Sequence, residues 1–317
     1  MQMETSQRTS EEYTTLNTKS RQRKQDSWGR TISTLCIGLI ALLVVSIIYF
    51  IAARGLTTFF KDGVSFATFF TGTTWDPTSG AKYVGALPMI VTSFSVTLLA
   101  AVVATPFALA IALFTTELAP KRSRGLIQSM VELLVGIPSV VYGFIGLAVL
   151  VPVIRNLFGG TGSGILTATL VLFVMILPTI TSLTIESLRS VPRDYRSASF
   201  ALGATMWQTM HRVILRAALP GILTAVIFGM ARAFGMARAF GEALAVQMVI
   251  GNAAVMPTSL ISPSATLTSI LTAGIGNTVM GTLPNDALWS LALVLLLMSL
   301  IFNLLVRTIN KKGVEQH

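Results

Sequence analysis

Long apolar stretches alternate with short polar ones along most of this 317-residue chain. Six of these stretches are long enough to cross the ~30 Å hydrocarbon core of a bilayer as helices. We predict spans at 31–53, 86–116, 126–153, 164–187, 219–251 and 287–308. The pattern therefore predicts an all-α, polytopic membrane protein. A polar, disordered tail at 1–30 precedes the first span, and a short tail at 309–317 follows the last one.

Composition supports the same class of protein. Hydrophobic residues make up 53% of the chain and charged residues only 11%, whereas soluble domains carry about 25% charged residues. The single cysteine, Cys36, lies in an apolar stretch, so neither a disulfide framework nor a cysteine metal cluster is expected. We expect no cofactor and no metal.

Basic residues are divided unequally between the two sets of connections. The tails and the connections between spans two and three and between spans four and five hold 17 of them, against four (Arg54, Lys61, Lys82 and Arg155) in the other set. The positive-inside rule therefore predicts that both termini are cytoplasmic. The net charge of +10 is thus mostly a topology signal and does not indicate a nucleic-acid-binding domain.

The two larger outer connections show no catalytic constellation. Residues 54–85 form an extracellular loop with the turn-rich sequence TTWDPTSG, and 252–286 form another that can hold a short helix lying against the bundle. Both histidines, His211 and His317, fall on the cytoplasmic side, which disfavours a membrane enzyme such as a lipid phosphatase. The sequence also lacks a phosphate-binding ATPase loop and a proton-relay chain, so energy for transport must come from another protein.

The cytoplasmic connection between spans four and five is too long to be a simple linker. Pro192 and Asp194 suit the first turn of a helix running from about 192 to 202, and Gly203 can end it in the left-handed conformation. Apolar residues then recur at helical spacing before Pro220, which is expected to begin the next span. We predict a helical hairpin at 188–218. From the residues alone it either seats in a groove of a cytoplasmic partner or lies on anionic headgroups.

The sequence DYRSASFALGATMWQTMHRVILRAALP resembles the coupling loop of binding-protein-dependent ABC importer permeases. Ala198, Gly203, Leu219 and Pro220 match that pattern, while Ser197 stands where the family usually has glutamate. The resemblance implies the type I ABC importer (MetI-like) permease fold across 86–308, and a hairpin that docks into a separate ATPase subunit. The implied coupling residues are Ser197, Ala198, Gly203, Trp207, Met210 and Ile214.

Other motifs resemble the phosphate-specific members of this family, among them ELLVGIPSVVYGFIGL at 132–147 and ARAFGEALAVQMVIGN at 237–252. The resemblance implies a permease subunit, not an enzyme, that imports inorganic phosphate. It also implies three partners: a PstA-like second permease, a PstB-like ATPase and a PstS-like extracellular phosphate-binding protein. The alternatives are a permease for another oxyanion or small solute and, outside this family, a secondary transporter or a membrane enzyme.

The fifth span contains GMARAF twice in tandem, at 229–234 and 235–240. It places Arg232 and Arg238 in the membrane, where an arginine costs about 2.5–3.5 kcal/mol on insertion scales. Glu242 follows Arg238 by one helical turn. The residues alone allow either an anion path or an ion pair that locks spans together. The resemblance implies a role in substrate translocation for Arg238, Glu242 and Arg232.

The doubled arginine is explained best by an in-frame duplication. Six residues turn a regular helix by about 240°, so Arg232 and Arg238 cannot share one face. Residues 220–251 number 32, which as one helix would be about 48 Å long, more than a span requires. We predict that Arg238, in register with Glu242, is the anion-facing residue.

Overall fold

The computed structural model describes the backbone of residues 2–79, 82–233 and 241–314, and the side chains of 28–79, 82–230, 244–301, 304 and 308. The chain divides into two units, Met1–Ala53 and Arg54–His317. Most of the described backbone is helical, which confirms the predicted all-α class.

The first unit consists of helix α1 (Gln2–Phe60) up to residue 53, and the last turns of α1 belong to the second unit. The helix is unbroken from its polar beginning into the first apolar stretch. The structure therefore has helix where the polar composition predicted a disordered tail. Residues 2–30 contain no proline that would stop a helix, so the change in composition at residue 30 does not end the element.

The second unit carries the remaining elements. They are α2 (Phe66–Thr71), β1 (Trp75–Asp76), β2 (Tyr83–Val84), α3 (Leu87–Leu113), α4 (Lys121–Gly136), α5 (Ser139–Ile145), α6 (Val151–Phe158), α7 (Ile165–Ser190), α8 (Arg193–Ala201), α9 (Met206–Gln208), α10 (Leu215–Ala233), α11 (Gly241–Ile250), α12 (Leu267–Gly274) and α13 (Leu283–Val314). Three π-helical segments, Phe114–Leu118, Gly146–Leu150 and Thr209–Ile214, continue α3, join α5 to α6, and join α9 to α10. Strands β1 and β2 pair antiparallel, with Trp75 opposite Val84.

Six helical stretches within the described residues are long and apolar enough to cross a membrane. This number confirms the prediction from hydropathy. The stretches are Trp28–Phe60, Leu87–Leu118, Ser139–Phe158, Ile165–Ser190, Met206–Met230 and Leu283–Ile301.

Two predicted spans have the wrong boundaries. The span expected at 126–153 is two helices, because the chain is extended at Ile137 and Pro138 between α4 and α5. The Tyr142 hydroxyl donates to the Leu134 carbonyl oxygen at 2.8 Å and so satisfies a carbonyl near the end of α4. The helix expected to begin at Pro220 begins instead at Met206, and Pro220 lies inside α10.

The centre of the second unit is a core built mainly from α3 and α7. Ala100, Ala104 and Ala108 are fully buried, and their spacing of four places them on one face of α3. This face of small side chains lets α3 pack closely along α7, where Leu172 and Ile176 fill the contact. The same core includes residues of α5, α10 and α11.

Two smaller apolar clusters cap this core at opposite ends. One, on what we call the loop side, packs Phe69 and Val84 against α12 and the beginning of α13. It confirms the short helix predicted within 252–286. The other lies at the end of α7, next to the connection between α7 and α10, and we call this end the hairpin side.

Candidate functional site

The connection after α7 folds as the predicted helical hairpin. Pro192 is the N-cap of α8, and Asp194 lies in the first turn of that helix. Gly203 has φ +77°, in the left-handed region that glycine enters without strain. Thr205 then caps α9 through a reciprocal pair of hydrogen bonds with Gln208. The local sequence chemistry therefore specifies both arms and the turn between them.

The inner face of the hairpin is seated on the transmembrane helices. Met210 and Ile214 are buried and pack with Leu188 of α7 in the hairpin-side cluster. The hydroxyls of Ser199 and Thr209, both buried, are 2.9 Å apart and join α8 to the π-helical segment. Met210 and Ile214, two of the implied coupling residues, therefore do not lie on the surface that a partner could contact. Their helical spacing identified an apolar face, but that face is covered by this chain itself.

The outer face of the hairpin is apolar and exposed. Leu202 is 89% exposed and Trp207 is 70% exposed, on either side of the Gly203 turn. Phe200 also lies on the surface, and the Trp207 ring stacks on His211 with 6.1 Å between ring centroids. Sequence reasoning identified Trp207 but missed Phe200 and Leu202. Their position next to Gly203 could have identified them, because the residues that flank the turn of a hairpin are usually exposed.

Ser197 and Ala198 lie on the exposed surface of α8. The Ser197 hydroxyl donates to the Arg193 carbonyl oxygen at 3.2 Å, so its hydrogen-bond donor has a partner within α8. The structure thus leaves Ser197, Ala198 and Trp207 accessible, with Gly203 forming the turn.

A partly buried ion pair ties α8 to the π-helical segment that continues α3. The Arg196 guanidinium donates to both carboxylate oxygens of Glu117, with Nη2–Oε1 at 2.7 Å and Nε–Oε2 at 3.3 Å. The Glu117 side chain is only 5% exposed and that of Arg196 is 24% exposed. Two parallel hydrogen bonds fix direction as well as distance. The sequence did not reveal this pair, because its members are 79 positions apart.

The predicted translocation residues lie outside the part of the chain whose side chains are described. Arg238 falls between α10 and α11, while Arg232 and Glu242 belong to the backbone of α10 and α11 respectively. What the structure does describe is the packing of α11. A Cβ atom on Gly143 of α5 would lie 2.7 Å from the Ala245 Cα atom, so glycine permits the close approach of these two helices.

Six helical stretches that are long and apolar enough to cross a membrane, together with a hairpin whose tip is exposed and apolar, are typical of a multi-pass membrane permease. Residues 104–312 match the family described as binding-protein-dependent transport system inner membrane component. The chain belongs to this family and is a permease subunit of an ABC importer. Members of the family work with a separate ATPase subunit and a substrate-binding protein.

Several curated proteins are similar over most of the chain. The probable ABC transporter permease protein YqgH of Bacillus subtilis (strain 168) is 48% identical and covers 92% of this chain and 94% of its own. The phosphate transport system permease protein PstC of Xylella fastidiosa is 33% identical, with 79% of this chain and 80% of that protein covered. PstC of Haemophilus influenzae is 31% identical and covers 92% of this chain and 96% of its own.

Solved structures share the fold at low identity. A chain of the MetNI methionine ABC transporter, in an inward-facing conformation, aligns with a TM-score of 0.51 and 20% identity, over 69% of this chain and 93% of that one. A chain of a bacterial alginate ABC transporter aligns with a TM-score of 0.51 and 16% identity, over 86% and 94%. These matches confirm the predicted MetI-like permease fold.

Proposed function

We propose that this permease subunit imports inorganic phosphate across the cytoplasmic membrane, with the hairpin side and both termini in the cytoplasm. The observation that carries the choice of cargo is the similarity to proteins named PstC over as much as 92% of the chain. Arg232 and Arg238, which the sequence places in the fifth span, fit that cargo. A guanidinium stays charged and presents a planar fork that matches phosphate oxygens.

The distribution of charge supports the orientation. Arg189, Arg193, Arg196, Arg212 and Arg216 all lie on or beside the hairpin. Because arginine is concentrated in cytoplasmic loops, these five residues favour a cytoplasmic position for the hairpin.

The hairpin is suited to transmit motion. Its tip, with Leu202 and Trp207, is available to a groove in a PstB-like ATPase, while Met210 and Ile214 anchor its base in the membrane helices. The ion pair between Arg196 and Glu117 holds α8 to the end of α3. A displacement of the tip therefore moves α3 and α7 together, because α3 and α7 share the central core.

Arg238 and Glu242 are proposed to form the anion path, with Arg232 as the duplicated copy. On a regular helix, residues four apart lie on one face. Glu242 would then hold the Arg238 guanidinium in place and lower its affinity for the anion, so that phosphate can dissociate.

The partners follow from the energetics of the cargo. Bringing a phosphate dianion into an inside-negative cell costs about 4.6 kcal/mol at 100 mV. We propose that a PstB-like ATPase supplies this energy, that a PstA-like permease completes the pore, and that a PstS-like protein delivers phosphate from outside.

Another oxyanion or small solute is the alternative cargo. It is favoured by the name of the Bacillus subtilis relative, which at 48% identity states no substrate. Two structural neighbours, moreover, belong to a methionine ABC transporter and an alginate ABC transporter.

Uptake of ³²P-phosphate by vesicles that hold the complete importer tests the proposal. Phosphate uptake should require ATP, and it should fall strongly in Arg238→Ala. The control is Arg122→Ala, which removes an exposed arginine of α4. Uptake that neither Arg238→Ala nor Arg232→Ala changes would refute the anion path. Failure to transport phosphate, with active transport of another solute, would refute the cargo.

A further inference from the structure

A cavity of about 450 Å³ lies on the hairpin side, between α8, the end of α7, the beginning of α4 and the π-helical segment after α3. Four arginines line it: Arg124, Arg189, Arg193 and Arg196. Thr116 and Ser197 add hydroxyl groups to the same wall.

The charge of this cavity is strongly unbalanced. Glu117 is the one carboxylate among the described residues that line it, so its four guanidiniums leave a formal net charge of +3. Glu117 already accepts both of its hydrogen bonds from Arg196. The cavity therefore has three guanidiniums without a carboxylate within salt-bridge distance in the described part of the chain.

Two of the remaining three arginines, Arg124 and Arg189, are positioned by neutral groups, and Arg193 is exposed at the edge of the cavity. Arg124 Nε donates to the Ala119 carbonyl oxygen at 3.0 Å, and Arg189 Nη2 donates to Gln128 Oε1 at 3.2 Å. Each contact uses one of the five donors of a guanidinium and places no carboxylate directly on it, although Gln128 in turn donates to Glu132 at 3.0 Å. Three of the four arginines are thus held in place around the cavity, and their remaining donors suit an anion.

We propose that this arginine cavity binds a phosphate group, at a site distinct from the arginines of the fifth span. A phosphate dianion offers several acceptor oxygens at once, which suits forked donors arriving from different helices better than a single carboxylate does. Arg193 and Arg196 belong to α8, Arg189 to α7 and Arg124 to α4. A bound phosphate group therefore bridges the coupling hairpin to the membrane helices and restrains it.

The phosphate group can come from two sources. One is inorganic phosphate on the hairpin side, and the other is the headgroup of a phospholipid. Helix α4, which contributes Arg124 to the cavity, also exposes Leu126, Met130 and Leu133, so the same helix offers an apolar surface to acyl chains. The inference does not require phosphate to be the transported solute, because it rests on the charge and shape of this cavity.

The test measures binding to the full-length chain in phosphatidylcholine nanodiscs, assembled with its permease and ATPase partners but without the phosphate-binding protein, and in a parallel sample without the ATPase. Arg232 and Arg238 are both replaced by alanine, so that the transport path does not contribute. Labelled inorganic phosphate is titrated into this background and into Arg193→Gln and Arg124→Gln. The matched control is Arg122→Gln, which removes an exposed arginine of α4 that does not line the cavity. Melting temperatures check that the variants are folded.

We expect saturable binding that Arg193→Gln weakens about 10- to 100-fold and Arg122→Gln leaves unchanged, as for the loss of charge-assisted hydrogen bonds. A second arm adds phosphatidic acid to the nanodiscs and counts retained lipid by native mass spectrometry. Retention that depends on Arg193 and is displaced by free phosphate identifies the headgroup as the source.

Three results would overturn the inference. The first is an absence of binding in both arms. The second is an equal loss in Arg193→Gln and Arg122→Gln, which would show only a diffuse effect of charge. The third is binding that occurs only when the ATPase is stripped away, which would mean that an acidic side chain of the partner fills the cavity. A failure of the phosphate uptake assay would leave all of these results unaffected.

Discussion

Arg196 and Glu117 form the direct polar link between the coupling hairpin and the end of α3, through two hydrogen bonds of 2.7 and 3.3 Å. Glu117 is almost fully buried, so it depends on Arg196 for compensation of its charge. The pair therefore does two things at once: it stabilises a buried carboxylate, and it fixes the orientation of α8 relative to a membrane span.

Removing the arginine should be worse than removing the acid. Arg196→Gln leaves a buried carboxylate without its partner and should cost about 3 kcal/mol at most, since Arg196 is partly solvated. Glu117→Gln should cost less, and the double variant should recover part of the loss. Thermal unfolding of the four proteins measures this cycle. Equal effects of both single changes, with no recovery in the double variant, would contradict a direct interaction.

The exposed tip should provide most of the affinity for the ATPase subunit. Leu202→Glu combined with Trp207→Glu should weaken ATPase binding by more than about 30-fold, because tryptophan anchors such as Trp207 contribute most to such contacts and Leu202 adds apolar area beside it. Met280→Glu is the control, since Met280 is 71% exposed on the loop side. Surface plasmon resonance with the solubilised protein gives the affinities. Binding that survives the tip variant would refute docking at the tip.

The Gly203 turn should tolerate only residues that enter the left-handed region. Gly203→Ala should destabilise the protein by about 1–2 kcal/mol, through backbone strain alone, since no neighbour lies within 4 Å of an added Cβ. Gly203→Asn should cost less. In contrast, Gly125→Ala, inside α4 and equally free of neighbours, should stabilise by about 0.5–1 kcal/mol. Denaturation midpoints that shift in the same direction for both alanine variants would contradict this account.

The β1–β2 turn should open as the pH falls. The Thr78 hydroxyl, at 2.6 Å, and the backbone N–H groups of Thr78 and Ser79 donate to the Asp76 carboxylate and hold its pKa below the ordinary value. Because the pKa is lowered in the folded turn, this stabilisation is present above the ordinary carboxyl pKa and is lost as the pH falls through the lowered one. Hydrogen exchange at Thr78 and Ser79 measures the opening. Asp76→Asn should remove the pH dependence, and a dependence that persists in this variant would place its origin elsewhere.

Deleting one GMARAF copy should preserve transport. Removal of 229–234 or of 235–240 yields the same sequence, in which the remaining arginine still precedes the glutamate by four residues. We expect phosphate uptake within about twofold of the parent, because an arginine stays on the same helical face as the glutamate. Uptake is measured at matched amounts of membrane-inserted protein. Abolished uptake at normal insertion would mean that both copies are needed.

The sequence predicted the features that local chemistry determines. Six spans follow from hydropathy, and the hairpin follows from Pro192, Gly203 and the helical spacing after it. Hydropathy did not locate the break at Pro138, because the apolar run continues through it. Helices α4 and α5 therefore read as one span. Pro220 was placed at a helix start, where proline is common, whereas the helix had already begun at Met206.

Contacts between residues far apart in the sequence could not be predicted from local patterns. The spacing of Met210 and Ile214 showed that they share a face, but not that α7 covers it. Likewise, the pairing of Glu117 with Arg196 and the gathering of four arginines around one cavity require the packing of α3, α4, α7 and α8. Charge along the chain indicated a side of the membrane, and only the fold shows that some of that charge converges.

The most direct test of the central claim, that a separate motor moves this permease through its hairpin, is accumulation of labelled phosphate against a gradient in proteoliposomes. The vesicles contain this chain and its PstA-like partner, with or without the PstB-like ATPase on the hairpin side. The account predicts accumulation only when the ATPase, ATP and the PstS-like binding protein are all present. Uphill accumulation without the ATPase would contradict it.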